Sequence, residues 1–247
     1  MVQTLIKPKK VKQLARTDIV FCIDISDSMR PCLEGVRQNI ENFVDLVGSD
    51  PETAIDWRLG LLWHQVDVRN NCLSIDKLPG EFTTDINAFK QCLSYISGKV
   101  GGGEANLLAL DWCLDFGWRS DAHKFIVLFT DEGVGSGFDP LLSLSKVDQL
   151  IKKIAAVGAS VHFITYDGPE FDDYRKIALT NKCHHIEVPA GSGFAELNFA
   201  EIMSKLGKSV SSGSRGAVQG QQVVERDIYG ILKWPTNAFD IAKSGEN

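Results

Sequence analysis

Asp24, Ser26 and Ser28 stand at alternate positions directly after the apolar run Ile19 to Ile23. One carboxylate and two hydroxyls are hard oxygen ligands, which suit a small divalent cation such as Mg2+ better than a soft metal. A second apolar run, Phe125 to Phe129, leads through Thr130 to another carboxylate, Asp131. In an open parallel sheet ligands bind outside the carboxyl ends of the strands, where strand order reverses. Two buried strands that each end on an aspartate therefore point to one oxygen-rich crevice.

Strands and helices must place those residues. Short continuous apolar runs bounded by polar residues read as strands covered on both faces, which gives 18–24 and 124–130. Pro31 fits a helix's first turn, and Leu33, Val36, Ile40, Phe43, Val44 and Val47 recur at helical spacing, so 31–47 is an amphipathic helix stopped by Gly48 and Pro51. Trp57 to Val66 is a second strand, and Cys72 to Ile75 a short edge strand ended by Lys77, Pro79 and Gly80. Asp85 is the expected N-cap of a helix that aligns Ile86, Phe89, Leu93 and Ile96. A glycine-rich loop, Gly98 to Gly103, precedes a helix over 105–116, and another loop carries Gly133, Gly135 and Gly137. Helices follow over 140–157, 171–181 and 195–209, with strands over 160–166 and 184–188. This alternation predicts a Rossmann-like α/β domain, with a mostly parallel sheet and helices on both faces.

Length and composition set the outer bounds. The 247 residues suit one domain with an appendage, and the net charge of −6 excludes a bulk nucleic-acid binder. Lys7, Lys9, Lys10, Lys12 and Arg16 form a local basic arm, read as a solvated segment over 1–16. No apolar stretch reaches membrane-spanning length and no secretory signal is visible, so the expected location is cytoplasmic, with no membrane partner. Six scattered cysteines without a C-x-x-C pair match reduced, buried thiols. The domain is expected over 17–210. A Ser/Gly-rich linker opens 211–247, and the apolar tail with Val223, Ile228, Tyr229, Leu232 and Trp234 is expected to pack on the domain or on a partner.

The stretch Asp24-Ile25-Ser26-Asp27-Ser28 resembles the DxSxS motif of the von Willebrand factor A (VWA) domain, the first loop of its metal ion-dependent adhesion site. Gly101-Gly102-Gly103-Glu104-Ala105 is similar to a second-loop variant that supplies a Glu, and Phe129-Thr130-Asp131 to the third loop. The resemblance covers about 17–209 and implies an intracellular bacterial type. It implies a metal set of Asp24, Ser26, Ser28, Glu104 and Asp131, with Asn106 near enough in sequence to replace Glu104. The implied ion is Mg2+, or Mn2+ or Ca2+. The implied work is protein–protein interaction, with the metal bridging to a carboxylate of a partner. An AAA+ ATPase, or a stress- or tellurium-resistance-type system, is the implied setting. Asp27 departs from the family's usual Gly, and Glu104 from its usual Thr. A Glu ligand tightens the ion but weakens its pull on an incoming carboxylate.

Other chemistries fit less well. Gly98-Lys99 lacks the Ser or Thr of a phosphate-binding loop, and the Gly133 loop is no dinucleotide fingerprint. A metal-dependent phosphohydrolase is the alternative enzyme reading. It wants a second carboxylate where Ser26 stands, and leaves only Asp27, Glu132 or His64 as base. A scaffold with a lapsed metal site is the third reading. The expectation is therefore a non-enzyme. His64 is expected at the site rim, with no nucleophile to activate. His184 and His185 are adjacent on a strand and so face opposite ways, which argues against a soft-metal site with Cys183. Trp57, Trp63, Trp112 and Trp118 read as core or shell rather than as a cofactor box.

Overall fold

The computed structural model describes residues 16–49, 56–67, 72–96, 105–134, 144–179 and 183–188. Of the expected arm over 1–16 only Arg16 is described, as the first residue of a strand; residues 1–15, the glycine-rich loop with Glu104, Gly135 and Gly137, the helix over 195–209 and the 211–247 tail lie outside the described residues.

Among the described residues six strands form one mixed sheet in the order β3-β2-β1-β4-β5-β6. They are β1 (Arg16–Asp24), β2 (Asp56–Asp67), β3 (Cys72–Thr83), β4 (His123–Phe129), β5 (Ala159–Tyr166) and β6 (His184–Val188). Only β3 runs antiparallel to its neighbour. The chain leaves β1 for β2 on one side and returns to β4 on the other. The order therefore reverses between β1 and β4, which opens the ligand crevice at their carboxyl ends.

Alternate strand residues feed two cores. Ile19, Phe21 and Ile23 of β1 pack with helices α1 (Arg30–Ser49) and α2 (Ile86–Ser94). Val20 and Cys22 pack on the other face with α3 (Asn106–Leu114), α4 (Leu144–Val157) and α5 (Asp172–Ala178). The central strand is thus buried on both sides, as its unbroken apolar run requires. Asp85 caps α2 as expected, with Oδ1 accepting from the Asn87 and Ala88 N–H groups at 2.9 and 3.1 Å.

Two expectations need correction. The edge strand does not end before Pro79; β3 continues to Thr83. Its register jumps from Leu62↔Lys77 to Gly60↔Phe82, so Leu78 to Glu81 bulge opposite Leu61 alone. An edge position tolerates the missing N–H of Pro79, and the left-handed Gly80 and Glu81 (φ 79° and 67°) turn the bulge. His64 is not at a rim either. Strand β2 runs three residues past it, and its side chain is wholly buried. Of the tryptophans, Trp112 is 45% exposed on the outer side of α3, while Trp63 is buried.

Among the described residues Cys22, Cys32, Cys92, Cys113 and Cys183 form no disulfide; all are buried except Cys92, which is partly buried. His184 stacks on His162 at 5.1 Å, whereas His185 Nε2 meets the Thr165 hydroxyl at 2.6 Å, so the two rings do take opposite faces. No helix among the described residues is long and apolar enough to cross a membrane.

Candidate metal centre

The first strand ends on Asp24, whose carboxylate is fully buried. Its Oδ1 accepts the Ser26 backbone N–H at 2.8 Å, folding the chain into a tight turn. Ser26 O then accepts from Met29 N, and Asp27 O from Arg30 N, which starts α1. The two serine hydroxyls do not cap that helix. Ser28 donates to Asp131 Oδ1 at 3.0 Å, so in the 3.0 Å pair with Ser26 the Ser26 hydroxyl is the donor. Residues 103 positions apart thus join one oxygen cluster.

Thr130 ties the cluster to a second loop. Its hydroxyl gives its one proton to Asp24 Oδ2 at 2.7 Å. It accepts from the Asn106 amide at 3.1 Å and from the Glu132 N–H at 3.2 Å. One proton and two lone pairs are then all used. Asn106 opens α3 and is 98% buried, its Nδ2 satisfied by Thr130, while its Oδ1 has no partner. Sequence reasoning gave Thr130 no role, since a hydroxyl at a strand end carries no signal of its own. The structure brings Asp24, Ser26, Ser28 and Asp131 into one hydrogen-bonded group. Glu104 lies outside the described residues.

Electrostatics separate the two ends of β1. At its start, buried Asp18 is held by Arg58 at 2.6 and 2.9 Å and by Arg119 at 2.9 Å. At its end, among the described residues, no lysine or arginine pairs with Asp24 or Asp131. Burial pushes the Asp24 carboxyl up to about 6, and the nearby Glu132 charge adds to this against the Ser26 and Thr130 hydrogen bonds. Asp131 also rises to about 6, first from burial and then from the charges of Asp24 and Glu132.

The donor set fits a small hard cation. Two hydroxyls, two carboxylates and an orphan amide oxygen are all hard oxygens, the kind that Mg2+ and its neighbours take. Among the described residues no group of three or more His, Cys, Asp or Glu converges, so a soft or carboxylate-only site is not what these residues offer.

The third loop is held by the turn at Pro169–Phe171. A Cβ at Gly133 would collide with the Glu170 carbonyl, so only glycine lets these backbones approach. Gly133→Ala should push Asp131 and Glu132 off their positions. The expected outcome is a stability loss of about 1–3 kcal/mol together with weaker cation binding. Thermal unfolding and a Mn2+ titration check it; a variant unchanged in both means the loop is not so braced.

A family model for the von Willebrand factor type A domain matches residues 18–198. Among solved structures, the chain is similar to the pilus adhesin SpaC from Lactobacillus rhamnosus GG in its open conformation. There the TM-score is 0.56 at 12% identity, over 82% of this chain and 31% of that one. It is similar to the SpRpn10 VWA domain, with a TM-score of 0.50 at 14% identity, over 73% of this chain and 92% of that one. The human COPII-coat protein Sec24c gives 0.55 at 9% identity, over 81% of this chain and 33% of that one. The chain thus spans about a third of the length of the adhesin and of the coat protein. These likenesses are of fold. No curated protein matches the sequence.

Proposed function

The chain belongs to the von Willebrand factor type A domain family, and from that premise we propose that it binds one divalent cation at the carboxyl edge of the sheet and uses it to hold an acidic residue of a protein partner. The contrast along β1 carries this reading. Asp18 has two arginines, whereas the equally buried Asp24 and the partly buried Asp131 have raised pKa values and no protein cation among the described residues. A cation from solution supplies the missing charge and leaves a coordination position for a partner carboxylate. Ser26 and Ser28 offer neutral oxygens beside it, so the ion is not overcharged by the protein. Thr130 and the Ser26 N–H fix the Asp24 carboxylate in place.

Binding rather than turnover is the proposed activity. Of the three bases the phosphohydrolase reading offers, His64 is wholly buried and Asp27 pairs with Arg30 at 3.0 Å, which leaves Glu132. The absence of a disulfide among the described cysteines is in keeping with a reducing compartment such as the cytoplasm. The family resemblance extends the reading to an intracellular bacterial protein, with an AAA+ ATPase or a stress- or tellurium-resistance-type system as its setting.

The test is a titration with Mg2+ and Mn2+ at two pH values. Raised carboxyl pKa values stabilise the metal-free protein fully below about 3.8 and lose that contribution as pH rises through about 6. A cation needs the ionised forms, so its effect has the opposite slope. The expected result is tight binding at pH 7.5, with affinity falling roughly tenfold for each unit below 6 per carboxyl protonated. Capture of an acidic partner should need the cation and be lost in chelator and in the Ser26→Ala, Ser28→Ala double variant. Binding absent at pH 7.5, or indifferent to the serines, would leave the scaffold reading instead.

A further inference from the structure

Resting on the cation-binding reading above, we propose that the second loop contributes its ligand through Asn106 Oδ1, a neutral amide oxygen, and not through the Glu104 carboxylate. The starting point is that Asn106 has no ordinary reason to be where it is. Asparagine is favoured at a helix start because its side chain caps free N–H groups. Here the N-cap is Ala105, which makes no side-chain cap, and Asn106 is already the first helical residue. Its side chain is 98% buried beside Leu107, Ala109 and Leu110 of the same helix, an apolar setting in which a polar group costs free energy unless it is paired.

The hydrogen-bond chain fixes which way the amide turns. Asp24 is an acceptor when ionised, so Thr130 must donate to it. The Thr130 oxygen is then an acceptor for Asn106, and only the NH2 side of the amide can face it. Turning the amide over would set two acceptors against each other. Asn106 Oδ1 is thereby committed to the remaining side, buried and without a partner, on an amide that lies two hydrogen bonds from Asp24 through Thr130. A buried carbonyl oxygen left without a donor is uncommon in a folded protein, and a cation satisfies it as well as a proton does.

The choice of ligand changes the charge of the loaded site. Asp24 and Asp131 already balance a divalent ion, and Glu132 lies close enough to raise both. A glutamate in the second loop would make the assembly net negative and repel an acidic partner. An amide oxygen fills the position without adding charge, so the ion keeps its pull on a partner carboxylate.

The experiment is Mn2+ titration calorimetry on the full chain at pH 7.5, with thermal unfolding of each variant in chelator and in Mn2+. Asn106→Ala should weaken Mn2+ binding roughly tenfold or more, while Glu104→Gln stays within about twofold of the unaltered protein. Asn106→Asp keeps the size and supplies an anionic oxygen, but loses the donor to Thr130. It should melt lower in chelator and show a larger Mn2+-induced rise than the unaltered protein. A purely structural asparagine would instead give a lower melting temperature and no larger rise. The proposal is overturned if Glu104→Gln costs the affinity and Asn106→Ala does not, with Ser26→Ala still weakening binding. If the unaltered protein binds no Mn2+, or Ser26→Ala changes nothing, the cation reading itself falls, and this assignment with it.

Discussion

Asp24→Asn is expected to raise the melting temperature of the metal-free protein at pH 7.5 and, in the same variant, to abolish its response to Mg2+ or Mn2+. Asp24 is fully buried and its carboxyl is pushed up to about 6, so at pH 7.5 it is ionised at a cost. A shift of roughly two units is worth about 3 kcal/mol of stability forgone. The amide has nearly the same shape and still accepts the Ser26 N–H through its oxygen. It meets the Thr130 hydroxyl with the wrong group, at a cost of about 1 kcal/mol for that hydrogen bond. The balance, about 2 kcal/mol in favour of the variant, corresponds to a rise of about 4–8 °C for a domain of this size. The sign reverses once a cation is present. The unaltered protein is stabilised by the ion and the variant, lacking the charge, is not; a loss of affinity greater than about a hundredfold is expected for a ligand carboxylate. At pH 5 the unaltered Asp24 is itself largely protonated, and the difference in chelator should nearly vanish. Calorimetric melting in chelator and in Mn2+, at both pH values, reads all of this. A variant that melts lower in chelator at pH 7.5 would mean that Asp24 is stabilising on its own account and that the strain assigned to the site is absent.

That opposition between stability and binding was only partly legible in the sequence. The strands Arg16–Asp24 and His123–Phe129 were, because an apolar run with no polar alternation has few homes other than the middle of a sheet. The convergence of Asp24, Ser26, Ser28 and Asp131 followed from it, since residues at the ends of adjacent parallel strands meet whatever lies between them in the chain. The true length of β3 was hidden, because Pro79 and Gly80 signal a stop unless one knows that the strand is an edge. The burial of His64 was hidden for a related reason: its exposure is set by the strands on either side, not by its own neighbours. Thr130 and Asn106 are linked across 24 positions by a single hydrogen bond, and nothing in either local sequence announces it.

Least legible of all was the pairing at the other end of β1, where Arg119→Ala is expected to cost about 3 kcal/mol while leaving cation binding intact. Asp18 is wholly buried, and Arg119 meets it from 101 positions away, through both its guanidinium and its backbone N–H at 2.9 Å. The same guanidinium donates to the Asp56 carboxylate at 2.6 Å and to the carbonyls of Asp56 and Thr17 at 2.7 and 3.2 Å. It therefore clamps β1 and β2 at their amino ends and holds the Asp56 carboxyl below its usual range. Removing it leaves Asp18 to Arg58 and the backbone N–H alone, and leaves two strand carbonyls without this donor. Losing one partner of a buried charge costs about 3–5 kcal/mol, and the surviving Arg58 places this case at the low end. The expected fall in melting temperature is about 6–12 °C. Because the pair is shielded from solvent, added salt should change that fall little. Arg119→Lys should recover only part of it, since an ammonium lacks the planar fork that reaches Asp18 and Asp56 together. Six residues of extended chain, roughly 20 Å, separate Asp18 from Asp24, so Mn2+ affinity should stay within about twofold of the unaltered protein. A melting temperature shifted by less than about 2 °C would show the clamp to be dispensable. A Mn2+ affinity that moved with it would show that the two ends of β1 are not independent, and that the protein cation at one end helps shape the site that lacks one at the other.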